Sequence, residues 1–535
     1  MDDQEFINRY LEPYLTNGNR ECLTELLPIW TPELDEFKLI GLALHRAIHG
    51  RDEVTIRMIL EAGIEPTIRD DQHPNYTLLL SASEVGLVDT CRLIWQLVGP
   101  AGRANSTKHE VVDTCLSVAA ENGHTNLVAF FLDIWSGWSS VETTFALTKA
   151  VRDWHEDVVD LLLTRVSFTA DALQRALEAS IYDRVTWIFG GRDTDDQHLQ
   201  QHRIVTKLLD AGANPNELLY GKPILHSAIW EVHHEPGRLH HQCVDRIGAV
   251  RALLEKGAEP NAQDNEGKTA LHILFRQSGA SVPALRLLLE HGASPEVGDQ
   301  EGEASLHAVA YSGDLERLQL CLAHCPDPGA ALRLRTRAPH GKSLLHYAAA
   351  GGQEGIVDFL LRSGLDVNST NGNGWTPLLC ALTPTDNKWP STACRAARLL
   401  LDHGADAKFV SEEGWSPLHA LVSQVVHLRS SFGNERGEDI VPLARELIAR
   451  GASLDAEAAA IRSNGVTQEQ LSGKWGSRMG KLCNDVPVKA TDLKALPNAE
   501  PDTTPLMWAY RVGAMGIFDA IMEHWASTES AEEKD

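Results

Sequence analysis

Short apolar blocks recur along this chain at helical spacing, each bounded by glycine and polar turn residues. A Leu-His pair returns at Leu44-His45, Leu225-His226, Leu271-His272, Leu306-His307, Leu345-His346 and Leu418-His419. A second phrase, an apolar Leu-Leu run closing on Gly-Ala, ends at Ala213, Ala258, Ala293, Ala405 and Ala452. The two phrases alternate, which predicts a chain of helical hairpins. The residues after Leu-His form an inner helix, and the Leu-Leu run an outer one with its apolar side turned inward. Gly364 and Gly404 are expected to end outer helices in the left-handed conformation, which costs a side chain about 1–2 kcal/mol.

Spacing sets the register. His45 to Gly63, His346 to Gly364 and His307 to Cys325 each span 18 residues, so Cys325 takes a glycine position. Gly257 to His272, Gly292 to His307, Gly364 to Leu379 and Gly404 to His419 each span 15. The period is therefore 33 residues, which is a repeat architecture. The clearest copies are Gly341-Lys342-Ser343-Leu344-Leu345-His346, Gly374-Trp375-Thr376-Pro377-Leu378-Leu379 and Gly414-Trp415-Ser416-Pro417-Leu418-His419. Thr376 and Ser416 suit a helix N-cap, and Pro377 and Pro417 suit the first turn, where no donor is needed. These phrases resemble the ankyrin repeat.

The resemblance implies an all-α solenoid, about eleven stacked helix pairs joined by β-like finger loops. It implies that the histidines are structural and tie neighbouring loops together. Residues 1–39 are expected as a helical cap, because a solenoid end needs a polar outer face. Diverged repeats follow over 40–219, well-matched repeats over 220–454, an insertion of mixed helix and loop over 455–503, and a terminal capping repeat over 504–525. A disordered acidic tail is expected over 526–535.

The departures from the period are concentrated. His226 to Gly257 is 13 residues too long, Leu379 to Gly404 is 7, His419 to Gly451 is 14 and His272 to Gly292 is 2. The exceptions, on the connection from outer helix to next inner helix, are Cys325 to His346, longer by 6, and Gly451 to Met507, longer by 41. The first four lie between inner and outer helix, so the extra loops (Glu231–Gly248, Thr383–Thr392, Ser423–Asp439) emerge on one edge. Long loops there cost little closure entropy. They form either a second binding surface or neutral drift.

Composition narrows the classes. The 535 residues carry 48 Lys and Arg against 74 Asp and Glu, a net charge of −26. Such a chain repels phosphate backbones, so nucleic acid is not expected as a partner. No apolar run is long enough to cross a membrane, and Met1-Asp2-Asp3-Gln4-Glu5 lacks an apolar signal core. Nine scattered cysteines fit a reducing compartment with free thiols. An intracellular protein of the cytoplasm or nucleus, acting as a monomer, is expected.

Chemistry candidates are few. The loop His233-His234-Glu235 to Cys243 offers His233, His240, His241 and Cys243 as zinc-type ligands. Adjacent histidines point apart, however, and no paired cysteine motif supports them, so a solvated loop without metal or other cofactor is preferred. Cys321 and Cys325 sit at i,i+4 on an outer helix and read as packing. Arg333, Arg335 and Arg337 form a basic strip that either holds an acidic group or pairs with neighbouring glutamates, the second being preferred. No nucleophile elbow, HExxH helix or kinase set is present.

The residues expected to bind are at the finger tips: Asp264, Glu266, Asp299, Glu301, Glu412 and Glu413, with Trp375 and Trp415 following two of the tips. Tryptophan there either packs or, flanked by carboxylates, anchors a basic segment. The expected function is a non-enzymatic scaffold holding a partner protein through the concave face. An adaptor delivering a client to a ubiquitin ligase or signalling complex remains open, as does an enzyme with its site among the inserted loops.

Overall fold

The computed structural model describes residues 9, 12–29, 39–62, 78–98, 114–181, 195–219, 221–229, 247–275, 282–337, 339–383, 390–423, 440–456, 458–459, 502–511 and 514–532. The His-rich loop with His233, His240, His241 and Cys243, most of the three long inserted loops, and nearly all of Asp455–Pro501 lie outside the described residues. The chain divides into two units, one of Met1–Leu219 with Arg246–Ala258, the other of Tyr220–Asp245 with Glu259–Asp535.

In the first unit, short helices Glu12–Asn17 and Arg20–Leu26 precede the repeats. Asn19 caps the second of these by accepting the Glu21 amide, and Leu23 and Leu26 are buried. Helix pairs follow at Leu39–His49 with Glu53–Glu61, Leu78–Val85 with Val88–Val98, Cys115–Glu121 with Thr125–Ile134, and Ser140–Arg152 with Glu156–Arg165. Ala170–Ile181 and Asp195–Asp210 make the degenerate pair, and Gly212 closes it at φ +114°. The outer helix Ile247–Glu255 packs on Asp195–Asp210 and completes this unit. The caps explain the starts. Thr114 and Ser117 form a reciprocal capping box, as do Ser139 and Glu142. Inner helices stack on inner helices and outer on outer, through Leu44, Leu79, Leu116, Leu147 and Leu177, each buried.

In the second unit the inner helices are Ile224–Ala228, Ala270–Phe275, Ser305–Ser312, Leu344–Gly351, Pro377–Leu382 and residues 417–423. The outer helices are Val282–Glu290, Leu315–Ala323, Glu354–Arg362, Pro390–Asp402 and Ile440–Ala449, followed by the terminal pair Pro505–Arg511 and Met515–Glu532. Thr376 caps its helix and Pro377 opens it. Gly364 and Gly404 have φ of +85° and +89°, as the spacing predicts. Leu378 and Leu418 are fully buried. An all-α stack of ankyrin-type hairpins is what each unit contains.

Three details go beyond the expected pattern. A short extra helix, Pro328–Leu332, fills part of the lengthened connection after Cys325, capped by Asp327. Ala458–Ala459 pairs antiparallel with Asp502–Thr503, so the long insertion is pinned at its base. The last helix runs on to Glu532, which corrects the expected disorder of the first part of the tail. Ser527–Glu532 adds little that breaks a helix already begun at Met515.

Candidate protein-binding face

Each finger of the second unit is a hairpin turn held by one side chain. The Asp264 carboxylate accepts the amides of Glu266 and Lys268, both at 2.9 Å. Asp299 accepts those of Glu301 and Glu303, also at 2.9 Å. Asn371 holds Asn373 and Trp375, and Ser411 holds Trp415. In these four fingers the first amide donates to the carbonyl four residues on, Asp264 to Lys268, Asp299 to Glu303, Asn371 to Trp375 and Ser411 to Trp415. A left-handed glycine precedes that carbonyl at Gly267, Gly302, Gly374 and Gly414. Asp264 and Asp299 are thus turn-forming residues rather than free recognition charges, a correction to their expected role.

Trp375 and Trp415 are likewise corrected. They are only 4% and 1% exposed, so neither is available as a surface anchor. Their rings lie 5.8 Å apart, and Trp508 meets Trp415 edge-on at 5.2 Å. The tryptophans stack from one hairpin to the next and extend the core under the fingers, the packing alternative of the two.

The exposed charge lies on other tip residues. Glu301, Glu412 and Glu413 are exposed, while Glu266 pairs with Lys268 at 2.7 Å. The third finger is different. Its Thr336 amide closes on Lys342, six residues on, so its tip is longer. It carries Arg335 and Arg337, both exposed, with Arg333 just before them. Among the described residues none of these arginines pairs with a carboxylate, contrary to the preferred expectation. Arg335 donates instead to the carbonyls of Gly341 (3.0 Å) and Thr370 (2.8 Å), and Arg337 to that of Gln300 (3.3 Å). The finger tips are joined in a row by backbone bonds, Gln300 to Glu266, Arg337 to Glu301 and Gly372 to His340.

Beneath this row sits a polar cluster that the spacing did not reveal. The Tyr347 hydroxyl donates to Glu303 at 3.1 Å, and the Lys342 ammonium lies 5.8 Å from the Tyr347 ring centre. Burial pushes the Glu303 carboxyl up to about 7, with Asp299 adding to the rise and the Tyr347 and Lys342 contacts opposing it.

Three of the six Leu-His histidines do what the resemblance implies. His226, His272 and His346 each donate through Nε2 to a carbonyl of the following finger, those of Ala262, Glu303 and Trp375. Two further ladders were missed. His124, His155 and Gln353 reach back from helix–helix turns to the carbonyls of Glu84, Glu121 and Tyr311. Asn261 and Asn368 each bridge two backbone groups of the next repeat, Gly292 with Ser294 and Gly404 with Asp406. Their signal is position: His124 and Gln353 directly follow Gly123 and Gly352, and Asn261 and Asn368 each stand four residues after Gly257 and Gly364.

The remaining chemistry candidates resolve simply. Cys321 and Cys325 are buried, and burial raises their thiols to about 12 and about 11. Among the described residues no three His, Cys, Asp or Glu side chains are placed to hold a metal, and no helix is long and apolar enough to cross a membrane. A hollow of about 220 Å³ in the first unit is lined by Gly123, Thr125, Trp154, His155, Glu156, Asp157 and Gln200.

The family comparison agrees with the hairpin geometry. The model for ankyrin repeats matches three times, over residues 239–331, 306–387 and 345–428. Residues 239–428 of the chain are ankyrin repeats. It is 28% identical over 208 residues to the putative ankyrin repeat protein YahD of Escherichia coli (strain K12), covering 38% of this chain and 91% of YahD. It is 35% identical over 96 residues to the RelA-associated inhibitor of Mus musculus, covering 18% of this chain and 10% of that protein. To the ankyrin repeat and KH domain-containing protein mask-1 of Caenorhabditis elegans it is 24% identical over 335 residues, covering 60% of this chain and 11% of mask-1. The crystal structure of the Bcl-3 ankyrin repeat domain matches at 22% identity and a TM-score of 0.31, over 46% of this chain and 90% of that one.

Proposed function

We propose that this ankyrin-repeat protein is a non-enzymatic scaffold that holds a partner protein along the finger row of its second unit. The observation that carries the reading is the pairing of exposed charged tips with hairpins locked by their own side chains. Glu301, Glu412 and Glu413 project from turns whose backbone is bonded at both ends, so binding costs little ordering entropy. The relative named as an inhibitor associated with RelA, similar to this chain over 96 residues, supports a protein as the ligand class. Basic segments of the partner fit the glutamate tips, and the scaffold acts as a monomer inside the cell.

Affinity capture from a native lysate tests this, comparing the wild-type chain with Glu412→Lys/Glu413→Lys. A specific protein retained by the first and lost by the second, with unchanged thermal melting, is the expected result. Equal retention by both would remove these tips from the binding face.

A further inference from the structure

The finger row is not uniformly acidic, and its charges occur in an order. Backbone bonds fix the sequence of tips from the first to the fourth, and the Trp375 and Trp415 rings that follow the fourth and fifth tips, 5.8 Å apart, place the fifth next. Counted from the Asp264 finger, the first two tips bear Glu266 and Glu301. The third, and longest, bears Arg335 and Arg337. The fourth, Asn371-Gly372-Asn373, is neutral, and the fifth bears Glu412 and Glu413.

We propose that the row recognises one extended peptide segment whose charges run basic, basic, acidic, neutral, basic from the first finger to the fifth. This rests on the scaffold reading above and narrows its ligand. Stacked helices are about 8–10 Å apart and an extended chain advances about 3.3 Å per residue, so each finger meets about every third residue of the segment. The central contact is the selective one. Arg335 already spends one nitrogen on the Gly341 and Thr370 carbonyls. A guanidinium has five donors in a fixed fork, so the rest of it is held ready for a carboxylate. Glu266 is partly answered by Lys268, whereas Arg335 and Arg337 meet no carboxylate among the described residues. A wholly basic segment would set a like charge against the longest tip. That juxtaposition discriminates between partners more strongly than any one exposed pair attracts.

The test uses the full chain and fluorescent peptides of about fifteen residues, read by anisotropy at low salt. One peptide carries Lys, Lys, Glu, Ser and Lys at every third position. A second has the same composition with the Glu moved to an end, a third replaces Glu by Lys, and each is also made in reversed order to allow either chain direction. The matched order is expected to bind about ten-fold more tightly than the other two. Arg337→Glu is expected to invert the preference towards the all-Lys peptide. Arg337→Gln, which removes the charge but keeps a donor, serves if Arg337→Glu lowers the melting midpoint. Equal binding of the matched and all-Lys peptides, lost in Glu412→Lys/Glu413→Lys, would overturn the charge order and leave the scaffold reading standing. No binding by any peptide would overturn both.

Discussion

The Nε2 of His346 donates to the carbonyl oxygen of Trp375 at 3.0 Å, while its Nδ1 accepts the Ser343 hydroxyl at 2.7 Å. Both ring nitrogens are committed, and only the neutral imidazole satisfies both bonds.

That commitment makes the second unit sensitive to acid. Burial lowers His346, His307 and His226 to about 4 from the ordinary 6.5. Between pH 6.5 and 4 the unfolded chain therefore binds more protons than the folded one, and stability falls as pH falls through that window. Each such histidine contributes a slope of up to about 1.4 kcal/mol per pH unit there. Urea midpoints measured from pH 7.5 to 4.5 should decline, and His346→Gln should flatten the decline while lowering stability at pH 7.5. A pH-independent midpoint would contradict this.

Glu303 works in the opposite direction. Its carboxyl is raised to about 7 by burial, so the favourable protonated form is fully present below pH 4.5 and lost as pH rises through 7. A glutamine side chain there would keep an acceptor for the Tyr347 hydroxyl without a charge. Glu303→Gln is expected to stabilise the protein at pH 8 relative to the wild type, with the gain vanishing near pH 4. Thermal melting at the two pH values decides it, and a larger gain in acid would exclude the argument.

What could be read from the residues was the part governed by period. Leu378, Leu418, Gly364 and Gly404 are where the 33-residue register puts them, because a buried apolar site and a left-handed turn each admit few residue types. Direction within a finger was less legible. Trp375 and Glu412 are tip-proximal in the register, yet one turns into the stack and the other to solvent. The partner that decides this for Trp375 is Trp415, a full repeat away. Asp264 and Asp299 looked like recognition charges because their role depends on reach. A short side chain bends back to its own amides, as Asp-x-x-Gly phrases allow, whereas Glu301 is too long to do so. The basic finger was visible as Arg333, Arg335 and Arg337, but its acceptors proved to be carbonyls, which composition does not reveal.

Trp415 carries a further prediction. It is among the largest fully buried side chains and touches Trp375, His419 and Trp508. Trp415→Ala removes an aromatic core residue at a cost of about 3–5 kcal/mol. Trp415→Phe, which keeps much of the ring contact, should cost less than half as much. Urea unfolding gives both values, and a surface residue in this position would give a loss near zero.

The junction between the basic and neutral fingers depends on an absent side chain. The Gly372 amide donates to the His340 carbonyl at 2.6 Å, and a Cβ on Gly372 would overlap the carbonyl oxygen of Pro339. The obstacle is backbone, so no side chain can swing aside, and Gly372→Ala is expected to cost about 1–3 kcal/mol. Gly355 is the control. It lies in the first turn of the helix Glu354–Arg362, with nothing within 4 Å of the place an added methyl would take. Gly355→Ala should stabilise the protein by about 0.5–1 kcal/mol, since alanine loses less backbone entropy in a helix. Opposite shifts in the melting midpoint from the same added methyl would locate the cost at the finger contact. Because that contact aligns the third tip with the fourth, Gly372→Ala should also reduce the preference for the charge-ordered peptide, whereas Gly355→Ala should leave it unchanged.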